Sequence, residues 1–436
     1  MKQQLSKFIS LSKQSIRVIK KEGLRSWLKK AKNKIKGYFE KKRIKEKTAV
    51  ELIRERFFNS QPINFIKTKR DHDRLNIVTD SLEKNSLFGG VATSLILSTL
   101  YASKYNTPLR IISRFAENNP RAYFNFLKVT GLPKPKSVEF FSDYDSMGSA
   151  QQQLENSEKD IFLATSWWSA KAIQSINLRK SYFYLLQEVE PFFYPYGDDQ
   201  LQCRKVLEDP KAHYILNTKL LFDYYANQGF DHVTRQGIYF EPAFPSYYAP
   251  GPQTFQKKEK YKLFFYARPN NPRNLFYQGL EFLDTAIQRG IIPGDQWDIY
   301  FAGAEDIPNL TFSTGLRPIF LGNLGWEPYV NFTKEIDLCF SLMYTPHPSY
   351  PPLDFAASGS VVLTNKFANK QSLDYSTNII CAELNTSAMM SGFEQAVALA
   401  TNGEERKNRF SSNRLDKDWS KSLESTLNFM HDQLKV

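Results

Sequence analysis

The 436-residue chain has few of the residues that build metal and disulfide frameworks. Its 3 cysteines, Cys203, Cys339 and Cys381, are far apart and odd in number, so they make neither a disulfide framework nor a CxxC pair. Its 5 histidines stand singly, which argues against a metal site built by the protein, and no cofactor is expected. No apolar run reaches the roughly 18 residues that a membrane-spanning helix needs. The N-terminus lacks the apolar core of a secretory signal, so cytoplasmic residence is the default expectation. Nowhere is there a complete GxGxxG or a Walker lysine, which leaves a dinucleotide or ATP site without support.

Positive charge is plentiful but confined. The net charge is +13, and residues 1–50 hold 17 Lys and Arg against Glu22, Glu40 and Glu46. That stretch nets +14, so the rest of the chain sums to −1. A near-neutral body argues against a partner that is nucleic acid gripped along an extended basic face. Within the basic stretch Phe8, Ile9, Leu11, Ile16, Ile19, Leu24, Trp27, Leu28, Ile35 and Phe39 recur at roughly helical spacing, with Gly23 as a divider. Such helices lie on anionic bilayers; a solvated tail and a nucleic-acid arm are the alternatives.

Beyond the tail, short apolar runs alternate with helical patterns. Leu75–Thr79, Leu109–Ser113, Val138–Phe141, Ile161–Ala164, Tyr182–Leu186, Tyr214–Asn217 and Gly237–Phe240 read as strands. Lys262–Ala267, Trp297–Ala302 and Ile319–Asn323 continue the series after a Pro- and Gly-rich linker. The alternation predicts α/β architecture with parallel sheets covered on both faces, where ligands bind beyond the carboxyl ends of the strands. Gly89 and Gly90 follow the first strand, where paired glycines allow close backbone approach or simple packing. Ser166 is placed to cap a helix whose adjacent Trp167 and Trp168 point apart, so at most one is core and the other is free to stack on a sugar ring. Gln187, Glu188 and Glu190 follow another strand; if the chain stays extended, the two glutamates share a face and Gln187 takes the other. The last stretch, Asn413–Val436, reads as one amphipathic helix.

The stretch from Asp337 to Lys366 organises the rest. Leu338–Met343 reads as a buried strand, the loop to Pro352 carries four prolines, and Pro351 and Pro352 suit the first turn of a helix that closes at Gly359. Helix amides at that spot favour an anion, and those of Ser349, Tyr350, Leu353 and Asp354 are expected to be usable. Asp354, placed in the same first turn, either accepts hydrogen bonds from sugar hydroxyls or merely charges a helix start.

The sequence PPLDFAASGSVVLTN resembles the C-terminal nucleotide-binding half of the large retaining family of GT-B glycosyltransferases. With FYARPNNPRNLF, LLQEVEPFFYPYG and SWWSA, the resemblance is closest to S-layer and cell-wall rhamnosyltransferases that use dTDP-rhamnose, over roughly Leu75 to Leu427. Two departures stand out: the second acid of the usual Glu-seven-Glu pair is Asp354, and the first is Pro346, beside His347.

The resemblance implies two Rossmann-like doubly wound domains facing across a cleft, with a basic helical N-terminal extension. Residues 1–55 would be the extension, 56–245 the acceptor-side domain, 246–260 the linker, 261–410 the donor domain, and 411–436 a helix crossing back to the first domain. It implies a metal-independent, retaining transfer of L-rhamnose to a hydroxyl of a growing, lipid-linked cell-surface glycan. A front-face path, in which the leaving phosphate takes the acceptor's proton, needs no nucleophile from the protein. Arg268 and Arg273 would hold the pyrophosphate and Asp354 a sugar hydroxyl. Gly322, Asn323, His347, Ser349, Tyr350 and Leu353 would complete the donor side; Gly89, Gly90, Trp167, Trp168, Gln187 and Glu188 would line the acceptor side. DxD triplets hold a metal in another glycosyltransferase fold, but Asp71-His72-Asp73 and Asp143-Tyr144-Asp145 lie outside that fold's order. The expected partners are the nucleotide sugar, the glycan acceptor and, through residues 1–50, the inner face of the cell membrane, with a homodimer left open. A UDP- or GDP-sugar transferase and a non-catalytic glycan-binding scaffold are the alternatives.

Overall fold

The computed structural model describes Lys32 and residues 46–82, 89–143 and 153–435. It divides into two units, residues 1–58 and 59–436. In the first, the helix Ala49–Arg56 opens on a capping box: the Glu51 N–H donates to the Thr48 hydroxyl, and the Thr48 N–H donates to the Glu51 carboxylate at 2.8 Å. The amphipathic pattern around Gly23 lies outside the described residues.

In the second unit, β1 (Phe65–Lys67) pairs with β5 (Leu154–Asn156) in a small parallel ladder. A seven-stranded parallel sheet follows, made of β2 (Arg74–Thr79), β3 (Leu109–Ser113), β4 (Val138–Ser142), β6 (Asp160–Ala164), β7 (Tyr182–Leu186), β8 (Ala212–Asn217) and β9 (Gly237–Phe240). Its order is β4-β3-β2-β6-β7-β8-β9. Every residue of β2, β3, β6 and β7 is buried, as strands covered on both faces require.

A six-stranded parallel sheet holds β10 (Tyr261–Tyr266), β11 (Trp297–Ala302), β12 (Ile319–Gly322), β13 (Leu338–Phe340), β14 (Val361–Asn365) and β15 (Ile379–Ala382) in the order β12-β11-β10-β13-β14-β15. Both orders run outward from a central strand and return on its other side. Each sheet therefore has a crevice at its carboxyl edge, between β2 and β6 and between β10 and β13.

The C-terminal stretch departs from a single helix. Residues 413–418 are irregular, and the helices Trp419–Ser422 and Glu424–Asp432 meet at Leu423. Asp418 caps the first by accepting from the Ser420 N–H at 2.8 Å, which starts the helix later than the apolar spacing suggests. Trp419, Leu423, Leu427 and Met430 pack into the core of the seven-stranded sheet with Leu75, Ile77 and Phe183. These helices thus pack on the half that carries β2–β9. Among the described residues no helix is long and apolar enough to cross a membrane.

Candidate active site

Loops from the carboxyl ends of both sheets line one cavity of about 540 Å³. The first half contributes Asp80 after β2, Ser166 and Trp168 after β6, and Gln187, Glu188 and Glu190 after β7, together with Gly89 and Gly90. The second half contributes Arg268 and Arg273 after β10, Gly303 after β11, Asn323 after β12, and Met343, His347, Ser349, Tyr350 and Asp354 after β13.

The two arginines are held differently. Arg268 stays on its own half, where Nη1 donates to the Tyr266 hydroxyl at 3.3 Å. Gly303, at φ +125°, lets the chain pass there: a Cβ would lie 2.8 Å from the Tyr266 ring and 3.1 Å from Cγ of Arg268. Arg273 reaches across the cleft. Its Nη1 lies 3.0 Å from Glu188 Oε2, and its guanidinium sits 4.1 Å from the centre of the Phe193 ring. Burial pushes the Glu188 carboxyl up and Arg273 down, and their mutual attraction partly offsets both.

Behind Glu188 the first half is acidic. Glu190 accepts a hydrogen bond from the Trp167 N–H at 2.7 Å, and burial pushes its carboxyl up to about 8. Asp80 accepts from Trp168 Nε1 at 2.7 Å; burial raises it too, against the pull of that bond and of Arg114. Ser166 caps the Trp167–Ile176 helix through a capping box with Ser169. Gln187 Nε2 donates to the Gly90 carbonyl at 2.9 Å, and a Cβ on Gly90 would meet that nitrogen at 2.9 Å.

The loop after β13 is shaped from inside. Lys370, fully buried, donates to the carbonyls of Met343 at 2.9 Å and His347 at 3.5 Å. His347 Nδ1 accepts from the Ser349 N–H at 3.0 Å, which places the ring proton on Nε2. Burial, with Lys370 and Arg273 adding, holds this imidazole down to about 3, so it is neutral and Nε2 is a donor. Ser349 sits at φ +69°, an uncommon conformation for a residue other than glycine. Tyr350 closes the cleft from the second half: its hydroxyl meets Thr93 and accepts from Asn217 Nδ2 at 2.8 Å. Asp354 accepts from Tyr329 at 2.9 Å and from Tyr248, and burial pushes it up to about 7.

Several expected placements need correction. The helix begins at Tyr350, with Pro351 and Pro352 second and third, so Asp354 falls in the second turn rather than the first. The Ser349 amide is occupied by His347 and not open to a ligand anion. Leu353 faces the core, and neither it nor Gly322 is among the residues lining the cavity, where Asn323 and Leu324 stand. Trp167 is core, its Nε1 bonded to the Tyr194 hydroxyl at 2.8 Å, while half-buried Trp168 lines the cavity. Gln187, Glu188 and Glu190 all line it, because the chain turns into a 3-10 helix at Glu190–Phe193 and the extended alternation is lost.

Of the triplets, Asp73 pairs with Arg179 and Asp143 with Arg114, while Asp145 lies outside the described residues. Among the described residues no three His, Cys, Asp or Glu are grouped to hold a metal ion. Sequence reasoning passed over Lys370, Tyr248, Tyr329 and Asp80. None carries a motif, and a lysine after a strand signals nothing until its burial is known.

Comparison with known proteins fits this geometry. The family model "WsaF, N-terminal domain" matches residues 74–219, and "WsaF, C-terminal domain" matches residues 261–394. "O-antigen biosynthesis protein RfbC" of Myxococcus xanthus is 30% identical over 266 residues, 58% of this chain and 20% of that protein. The chain thus spans about a fifth of that relative's length. Among solved structures, sucrose-phosphate synthase from Thermosynechococcus elongatus aligns over 83% of this chain and 99% of its own, with a TM-score of 0.57 and 12% identity. HepE of Anabaena, solved in complex with UDP-glucose, aligns over 84% of this chain and 100% of its own, with a TM-score of 0.54 and 15% identity.

These are GT-B structures, and the two sheets facing one cavity are that fold. The chain has the GT-B fold. Matched by both domain models, in order and over more than half its length, it belongs to the WsaF family.

Proposed function

We propose that this chain transfers L-rhamnose from dTDP-rhamnose to a hydroxyl of a growing, lipid-linked cell-surface glycan, with retention and without a metal ion. The observation that carries the reading is the convergence of Arg268 and Arg273 on the cavity between the sheets. A leaving diphosphate gains charge as the glycosidic bond breaks, and fixed guanidinium groups in a desolvated site stabilise it. The neutral His347 Nε2–H adds a donor for a phosphate or sugar oxygen. Asp354, when ionised, accepts from a sugar hydroxyl. The acceptor lies on the first half, beside Trp168 and Gln187, and the leaving phosphate takes its proton.

The rhamnosyl donor is favoured by the family match and by the wording of FYARPNNPRNLF and LLQEVEPFFYPYG. The lipid-linked acceptor is favoured by the polysaccharide role in the name of the Myxococcus relative. Residues 1–50, with 17 basic side chains, would hold the enzyme to an anionic bilayer on the cytoplasmic side. HepE was solved with UDP-glucose, so a uridine donor is the alternative to test.

The deciding experiment is a thermal-shift screen of dTDP, UDP and GDP, with transfer assayed in EDTA, since a bound ligand raises the melting temperature by mass action. Stabilisation by dTDP together with transfer in EDTA supports the proposal. Stabilisation by UDP or GDP alone removes the rhamnose donor, and loss of transfer in EDTA removes the metal-free path. Liposome sedimentation with and without residues 1–50 tests the membrane contact.

A further inference from the structure

We propose that Glu188 is a positioning residue that holds Arg273 until a nucleoside diphosphate displaces it; the inference rests on the donor reading above. Arg273 belongs to the loop after β10, yet its side chain is seated on the opposite half. Glu188 Oε2 lies 3.0 Å from Nη1, and the Phe193 ring lies 4.1 Å beneath the guanidinium. The same Oε2 accepts from the Thr345 hydroxyl at 3.3 Å, while Oε1 accepts from the Val189 N–H at 3.1 Å. Arg273 Nε is also engaged, with Asn271 Oδ1 at 3.3 Å.

Bidentate capture of a phosphate uses two parallel N–H groups of the guanidinium fork. On Arg273 Nε is engaged by Asn271 and Nη1 by Glu188, so each two-nitrogen edge of that fork has one donor already taken. Among the described residues Arg268 has no such anion beside it, and its guanidinium meets the hydroxyl and ring of Tyr266. The two cations are therefore unequal: one is ready for a diphosphate, and the other is neutralised by a nearly buried carboxylate.

A phosphate approaching Arg273 meets the Glu188 charge at the same nitrogen. Binding is an exchange of one anion for another on one cation, and Glu188 weakens donor affinity while it keeps Arg273 aimed into the cavity. It also ties the two halves together when no donor is bound. After exchange its carboxylate is left on the acceptor half, held by Val189 and Thr345.

The test is calorimetric titration of the full chain with dTDP, using wild type, E188Q, R273A and the double variant. E188Q keeps the shape and a hydrogen-bonding group but removes the competing charge, so it is expected to bind dTDP about three- to tenfold more tightly. In the R273A background, the same substitution is expected to change nothing. A merely structural Glu188 would leave affinity equal or lower on substitution.

Equal or weaker binding by E188Q, or tightening that persists without Arg273, overturns the inference. Should E188Q fail to fold, E188D draws the charge back by one methylene. Tighter binding by E188D, to a smaller degree, supports the exchange, and unchanged or weaker binding overturns it. A wild type that binds no nucleoside diphosphate removes the donor reading and this inference together; a wild type that binds, with E188Q weaker, removes the inference alone.

Discussion

The two halves of the larger unit are built alike at one edge and unlike at the other. At the amino ends of its strands each half buries an arginine against an aspartate: Arg74 with Asp160 in the first sheet and Arg406 with Asp337 in the second, both at 2.8 Å. The first pair ties two neighbouring strands, the second ties the helix Gly403–Ser411 to the start of β13, and neither lines the cavity. At the carboxyl ends the resemblance stops. The first half presents Asp80, Glu188 and Glu190; the second presents Arg268, Arg273 and the nearly neutral His347 and Asp354. One fold thus supplies an acid-lined wall and a cation-lined wall, and the chemistry lies in the contrast between them.

The largest expected effect comes from removing the cations. R268A and R273A are each expected to lower kcat/KM by about two to three orders of magnitude. The loss should appear in kcat as well as KM, because the interaction strengthens as the diphosphate leaves. Steady-state kinetics with the donor varied checks this. A change confined to KM would make the arginines simple anchors, and the contrast between the walls would then concern binding alone.

A middling effect is expected at Asp354, the one acid on the cationic half's wall. Burial lifts its carboxyl from 3.8 to about 7, against the pull of Tyr329 and Tyr248. A group raised on folding contributes stability that is complete below its unfolded value and lost as pH rises through its folded one. The native state therefore tolerates the neutral acid and is penalised by the carboxylate above about pH 7. D354N should raise the melting temperature more at pH 8 than at pH 5, while transfer falls about tenfold because a neutral amide oxygen accepts from a sugar hydroxyl more weakly than a carboxylate. Equal gains at both pH values would show that the buried charge is not the cause.

Much of this was legible in the sequence, and the reasons differ by level. Leu109–Ser113 and Tyr182–Leu186 are strands to the residue because a doubly covered parallel strand reads as a largely apolar run, even where Arg110 is buried in it against Asn76 and the Glu155 carbonyl. The cavity edge followed, since polar residues just past such runs mark the carboxyl ends. The offset of Asp354 was not legible, because a proline pair fits the second and third helical positions as readily as the first. The meeting of Arg273 with Glu188 was hidden as well. They stand 85 residues apart on different sheets, and no periodicity relates one sheet to the other. Lys370 shows the same limit: a lysine in the loop five residues past β14 reads as solvated until the fold buries it.

The smallest predicted effect separates the walls most cleanly. Trp168 lines the first half and donates from Nε1 to Asp80 Oδ1 at 2.7 Å, a bond that lowers a carboxyl which burial alone would raise further. W168F keeps an aromatic face in the cavity and removes that donor. Asp80 then loses a hydrogen bond from an uncharged donor, of which about 1 kcal/mol, a few-fold, is expected to reach a constant that depends on it. If the first half's wall takes the acceptor as proposed, KM for the acceptor should rise about two- to fivefold, with donor affinity unchanged. Varying acceptor and donor separately reads both. An effect on donor affinity instead would mean that the first half's wall also shapes the donor site, and the division of labour between the two walls would have to be redrawn.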